Sequence, residues 1–151
     1  MLRFYVISIA LVFFDQLTKK IIQANLRLRD IIEVTPFLDI IHVHNTGAAF
    51  SFLHNAGGWQ RYFLVLVSSL VSIALPFYIK KNLHNPLLAI SLTLILGGAV
   101  GNLIDRIVLG YVIDFISIHI GNIFYWPAFN VADSAITIGA VLLIYDALKN
   151  K

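Results

Sequence analysis

The sequence predicts an integral membrane protein, mainly α-helical: a bundle of four transmembrane helices with a small sheet and an amphipathic segment at one membrane face. Three observations carry this. Hydrophobic residues make up 59% of the 151 and charged residues only 13%, roughly half of the ~25% usual for soluble domains. The charges fall in groups that separate long apolar runs, which is how spanning helices are punctuated. Four spans of about 20 residues use only roughly 80 positions, so the remainder has to build something at the membrane surface. The length suits one domain over residues 1–151.

The first span is expected at about 3–24. Residues 4–14 (FYVISIALVFF) are apolar, and Asp15, Lys19 and Lys20 continue on the same helix. Arg3 ahead of an apolar run resembles the start of a signal peptide, but no small-x-small cleavage site follows, so the segment reads as an uncleaved span. Residues 25–58 form the first extracytoplasmic segment; Ile31, Ile32, Val34 and the run 38–43 are β-branched and read as short strands. The second span, about 60–80, is charge-free over 62–79 and closes on Lys80 and Lys81. Pro86 opens the third, about 86–104. Residues 105–129 form the second outer segment, apolar and β-branched, with Gly110 and Gly121 as breaks. The fourth span, about 131–148, ends at Lys149. Trp59, Tyr125 and Trp126 are expected at the membrane interface.

An even number of spans puts both termini on one side. Arg3, Lys80, Lys81, Lys149 and Lys151 lie there; Lys19, Lys20, Arg27, Arg29, Arg61 and Arg106 lie on the other. Number alone does not orient the chain, but two lysines packed into a very short turn favour a cytoplasmic side for the termini. No internal repeat of the kind that duplicated transporters carry is evident.

Composition also excludes. A net charge of +3 with dispersed basic residues does not suggest nucleic-acid binding. With no cysteine, thiolate catalysis, disulfides and lipid attachment through cysteine are out. His42, His44, His54, His84 and His119 are scattered, are expected at the surface, and suggest no metal site; no cofactor is implied. The 11 Phe read as lipid-facing bulk.

Carboxylates at membrane depth cost ~2.5–3.5 kcal/mol even on lenient scales, so each needs a reason. Asn130-Val-Ala-Asp133 has capping-box logic, which alone explains Asp133 at a helix N-terminus; Asp133, Thr137 and Ala140 also make a small, polar inward face. Asp114, in GYVIDFISI, is either the exposed side of an edge strand or a buried carboxyl whose apolar neighbours favour a shared proton. Two carboxylates held together share one proton, so one can take a proton from water while the other donates to a carbonyl oxygen. That chemistry needs no metal, thiol or serine. Gly121, Asn122 and Pro127 supply turns by which residues 114 and 133 could meet. Asp105 and Arg106 read as structural ion pairs or a headgroup contact. Asn102 belongs to GGAVGN, where Gly97 and Gly101 form a GxxxG close-packing face. Asn45, in NTGAAF, either orients a substrate or shapes a turn.

The blocks FDQLTK (14–19), NTGAAF (45–50), GNLIDR (101–106), GYVIDF (110–115) and FNVADS (129–134), in this order and spacing, resemble those of bacterial lipoprotein signal peptidase, also called signal peptidase II. The resemblance covers nearly the whole chain. It implies a four-span aspartic peptidase of the bacterial inner membrane, surrounded by membrane lipids and cutting diacylglyceryl-modified prolipoproteins before the lipidated cysteine. Asp114 and Asp133 match the family's catalytic pair. Asn45, Asn102, Asp105, Arg106 and Asn130 match supporting polar residues, and Asp15 and Lys19 a structurally important block. A periplasmic β-cradle, an amphipathic helix, cytoplasmic termini and an active site near the extracytoplasmic face are implied as well; a monomer is expected. Two other classes fit the composition: a small proton-coupled carrier using Asp15 or Asp133, and a purely structural membrane subunit.

Overall fold

The structure, a computed structural model, describes residues 2–47, 58–121 and 123–150. In chain order it runs α1 (Leu2–Asn25), β1 (Ile31–Thr35), β2 (Leu38–Asn45), α2 (Trp59–Lys81), α3 (Pro86–Val108), β3 (Val112–Ile120), β4 (Phe124–Tyr125) and α4 (Val131–Lys149). The four helices and a small sheet are as expected, the helix ends agreeing within a residue or two except at the end of α3; that the sheet has four strands is new. Of the helices, α2, α3 and α4 are long and apolar enough to cross a membrane. The 24-residue α1 matches them in length but carries Arg3, Asp15, Lys19 and Lys20.

Helix α3 is the centre of the bundle and packs against each of the other three. Its glycines make this possible. A Cβ at Gly97 would lie 2.9 Å from Leu11 Cβ of α1, and one at Gly101 would lie 2.6 Å from the Asp15 carboxylate. The expected GxxxG face is thus the α1 contact. Gly98, one position round, lies against the Ala132 carbonyl and Ile136 of α4. Asn85 caps α3 by accepting from Leu88 N at 3.2 Å, with Pro86 opening the helix. At the same end Asn85 Nδ2 donates to both oxygens of Asp146 in α4, each at 2.9 Å. Phe4, Ile79, Ala89, Leu92 and Leu96 form the apolar core there. Tyr5 Oη donates to the carbonyl of Pro76, within α2, at 3.1 Å.

At the opposite end the strands form one antiparallel sheet in the order β1-β2-β3-β4. The β2–β3 register pairs Asn45 with Val112 and Val43 with Asp114, with an irregularity between Ile40 and Val43. Beyond β4 the chain returns along β3, where Phe129 N donates to Ile116 O at 3.0 Å and Phe115 N donates to Phe129 O at 3.0 Å. That return sets Asn130 and α4 beside Asp114.

Two expectations are corrected. The third helix continues past 104 to Val108, so Asp105 and Arg106 sit inside its last turns rather than in an outer segment; their side chains find partners on α1, β3 and residue 47, which keeps the helix going. The described residues of 105–129 include that helix end and strands β3 and β4; the expected amphipathic surface segment is not among the described residues. Residues 48–50 of NTGAAF, the rest of 48–57 and His54 lie outside them. His42 is buried, not at the surface: its Nδ1 lies 3.0 Å from Leu26 O, just past α1.

Candidate active site

All nine polar residues singled out in the sequence meet where the sheet joins the bundle. They arrive from five elements. Asp15 and Lys19 come from one face of α1, Asn102, Asp105 and Arg106 from the last turns of α3, Asn45 from the end of β2, Asp114 from β3, and Asn130 with Asp133 from the start of α4.

Asn130 is the hinge of the network. Its Oδ1 accepts from Asp133 N at 2.9 Å and Asp133 Oδ2 accepts from Asn130 N at 3.3 Å, which completes the expected capping box. Its Nδ2 donates to Asp114 Oδ1 at 2.7 Å and, at 3.2 Å, to Asn102 Oδ1 and to Ile113 O. One fully buried amide therefore touches both aspartates. Asn45 Nδ2 donates to Asp114 Oδ2 at 2.9 Å, and Asn102 Nδ2 donates to Asp133 Oδ1 at 2.8 Å. Asn45 also accepts from Gly47 N at 2.9 Å, so it both shapes the turn and holds a carboxyl.

Asp114 is 1% exposed, which removes the edge-strand alternative. Burial, and then the nearby charge of Asp133, push its carboxyl up to about 7, against the pull of the Asn45 and Asn130 hydrogen bonds. Nearby, burial and the neighbouring His42 lower the His44 imidazole, whose ring stacks on Tyr111 at 3.7 Å between centroids.

Behind the pair lies a charge cluster. Lys19, 1% exposed, places Nζ 2.8 Å from Asp15 Oδ2, 3.0 Å from Asp105 Oδ2 and 2.9 Å from Asn102 Oδ1. Asp105 also accepts from Gln16 Nε2 at 2.8 Å and from Ile113 N at 3.1 Å, tying α1 and the start of β3 to α3. Asp105 is thus a structural ion-pair residue here. Arg106 Nη2 donates to Gly47 O at 3.0 Å. Sequence reasoning passed over Gln16 and also Arg61, whose Nε donates to Arg106 O at 3.2 Å and whose guanidinium crowds Gly110. Gln16 lies inside FDQLTK but was not singled out, and Arg61 stands in no block; a Cβ at Gly110 would lie 2.9 Å from Arg61 Nη1, so the glycine leaves room for it.

A cavity of about 520 Å³ opens beside this network. Asn45, Asn102, Arg106 and Asp133 form its polar end, while Val67 and Val71 of α2 face Ile95 and Ile136 across an apolar remainder. Asp133 faces the cavity and Asp114 lies one layer behind it. Among the described residues, no group of three or more His, Asp or Glu is placed to hold a metal ion. What the arrangement offers is two carboxyls bridged by one amide, amide donors to each, and a mainly apolar chamber.

Residues 7–149 match the model of the family described as signal peptidase (SPase) II. The chain belongs to the signal peptidase II family. It is 47% identical over 143 residues to the lipoprotein signal peptidase of Burkholderia thailandensis, covering 95% of this chain and 86% of that protein. The lipoprotein signal peptidase of Alteromonas mediterranea is 47% identical over 150 residues, 99% of this chain and 82% of that one. Two bacterial membrane enzymes solved in meso share the fold. The 2.3 Å structure has a TM-score of 0.88 at 37% identity, covering 99% of this chain and 90% of its own. The 1.9 Å structure has a TM-score of 0.85 at 36% identity, covering 100% and 96%. As a signal peptidase II the chain is an enzyme and a multi-pass membrane protein; the carrier and structural-subunit readings are set aside.

Proposed function

We propose that this membrane aspartic peptidase, which removes signal peptides from lipoprotein precursors, does so with Asp114 and Asp133 as its catalytic pair and one water as nucleophile. The observation that carries the assignment is the single amide of Asn130 bonded to both residues at the polar end of an apolar cavity. Such a pair shares one proton: one carboxylate removes a proton from the water as it attacks the scissile carbonyl, and the other protonates the carbonyl oxygen. Asn and Arg donors at the cavity end, Asn45, Asn102 and Arg106, stabilise the tetrahedral intermediate. The Asp15–Lys19 pair and Asp105 hold the frame.

The substrate we assign is a prolipoprotein already carrying diacylglyceryl on its cysteine. Its signal helix and acyl chains enter from the bilayer into the apolar part of the cavity, so that the lipid stays in a lipid-like environment while water is restricted. We take α1 as a fourth span: the lysine that would bar it is paired with Asp15 and Asp105. Both termini then lie on one side, which the paired Lys80 and Lys81 lead us to take as the cytoplasm of a bacterial inner membrane, with the sheet, as a β-cradle, and the active site at the outer face. A single copy contains every residue of the site.

Cleavage of a diacylglyceryl-modified prolipoprotein by the reconstituted protein, followed by gel shift, tests the assignment. Asp114→Asn and Asp133→Asn should each lose roughly 10²–10⁴-fold in rate with folding intact, and the unlipidated precursor should be spared. Full cleavage by either variant removes that aspartate from the pair.

A further inference from the structure

We infer that Lys19 is a positioning residue for the cleavage reaction: through Asn102, its buried ammonium holds Asp133 as the charged member of the carboxylate pair. The inference rests on the reading of Asp114 and Asp133 as that pair.

The polarity of the network admits one direction. An ammonium has three N–H donors and no acceptor, and Lys19 spends them on Asp15 Oδ2, Asp105 Oδ2 and Asn102 Oδ1. The Asn102 oxygen must therefore face Lys19, and its Nδ2 is left to donate to Asp133 Oδ1 at 2.8 Å. The same oxygen accepts a second donor, Asn130 Nδ2, at 3.2 Å. Two donors on one amide oxygen polarise the amide and strengthen the bond that its nitrogen makes. Asn130 is oriented independently, because its Oδ1 accepts from a backbone N–H.

The two aspartates are thereby made unequal. Asp133 stands in the first turn of α4, where the helix dipole favours an anion, and receives an amide aligned by a cation. Asp114, on β3, has two neutral amides and deeper burial. The charged groups facing Asp133 are Lys19 from α1, Arg106 from α3 and Asp114 from β3; Asp15 and Asp105 face Lys19, which partners both. Asp133 is also the one open to the cavity.

The roles then follow. A water O–H bond breaks, its proton goes to the Asp133 carboxylate, the water oxygen bonds the scissile carbonyl carbon, and the Asp114 proton goes to the carbonyl oxygen. In the collapse the C–N bond breaks, Asp133 returns its proton to the leaving amine, and Asp114 regains one from the gem-diol. Both carboxyls end as they began.

Infrared titration of the purified protein, with the Asp133 carboxyl band assigned by its loss in Asp133→Asn, tests this without turnover. In Lys19→Met/Asp105→Asn, checked for folding by circular dichroism, the protonated band should persist to about one pH unit higher than in wild type. Below that midpoint kcat should fall about tenfold with KM little changed. A band that titrates as in wild type, or a loss that is the same at every pH and tracks the folded fraction, overturns the inference. Should the double variant fail to fold, Asn102→Ala keeps the ion pairs and should move the band the same way; an unmoved band there overturns it equally. Wild-type cleavage by Asp133→Asn would overturn the pair itself, a result distinct from an unmoved band.

Discussion

Asp15 of α1 accepts a hydrogen bond from the backbone N–H of Ala132 in α4 at 3.0 Å, across 117 residues of sequence. Its other oxygen pairs with Lys19. One carboxylate therefore caps the last helix and neutralises a buried cation. Asp15→Ala removes both and should cost about 3–5 kcal/mol, as expected when a buried pair loses one member. Asp15→Asn keeps an acceptor for Ala132 and should be less harmful by about 1 kcal/mol. Thermal unfolding in detergent separates the two; equal losses would mean that the cap contributes nothing.

The raised Asp114 carboxyl gives a pH dependence with a definite sign. Its ordinary value is 3.8 and its folded value about 7, so between these the folded protein binds a proton that the unfolded chain has released. The stability it contributes is present in full below 3.8 and is lost as pH rises toward and through about 7. Asp114→Asn cannot ionise and should lack this decline. Melting temperatures across pH 4–8, wild type minus variant, should fall with pH; a flat difference would mean that the carboxyl titrates normally.

Close helix contact predicts an intolerant glycine. A methyl at Gly98 would run into the Ala132 carbonyl and 2.6 Å from Ile136 Cγ1, and a backbone atom cannot step aside. Gly98→Ala should destabilise by about 1–3 kcal/mol and lower kcat by widening the gap that Asn102 Nδ2 spans to Asp133. Gly121→Ala, with nothing within 4 Å but a φ of +52°, should cost only about 1–2 kcal/mol and leave kcat alone. Unfolding and cleavage rates on the same preparations check both.

The hydroxyl of Tyr5 ties α1 to α2 at Pro76. Tyr5→Phe should cost about 0.5–1.5 kcal/mol with the site untouched. A loss of cleavage larger than the loss of folded protein would show that this bond also governs the α2 wall of the cavity.

Much of this was legible in the chain. Gaps between charges located the helices because lipid tolerates few charges, and NVAD announced the α4 cap because capping is local. The five blocks hold the nine polar residues singled out for the site, but not Arg61 behind Arg106. What stayed hidden depends on contacts distant in sequence. Asp105 and Arg106 looked like the start of a loop, since their partners Gln16, Lys19 and Gly47 lie 59 or more residues away. His42 looked like a surface histidine because the carbonyl of Leu26 beside it has no sequence mark. That Asn130 would serve both aspartates follows only from the return of residues 126–129 along β3.

The i,i+4 contact between Asp15 and Lys19 also bears on how the molecule is made. With α1 as the proposed fourth span, these two residues enter the bilayer before Asp105, Asn102 or Ala132 has been synthesised. Joined to each other, they travel as a near-neutral pair, which lowers the insertion penalty of an early helix that would otherwise carry two isolated charges. The remaining partners arrive with α3 and α4, so on that reading a nascent chain has its first span before it has the polar network. On the proposed assignment the carboxylate pair is complete only once α4 has been made, because Asn130 and Asp133 stand at its start.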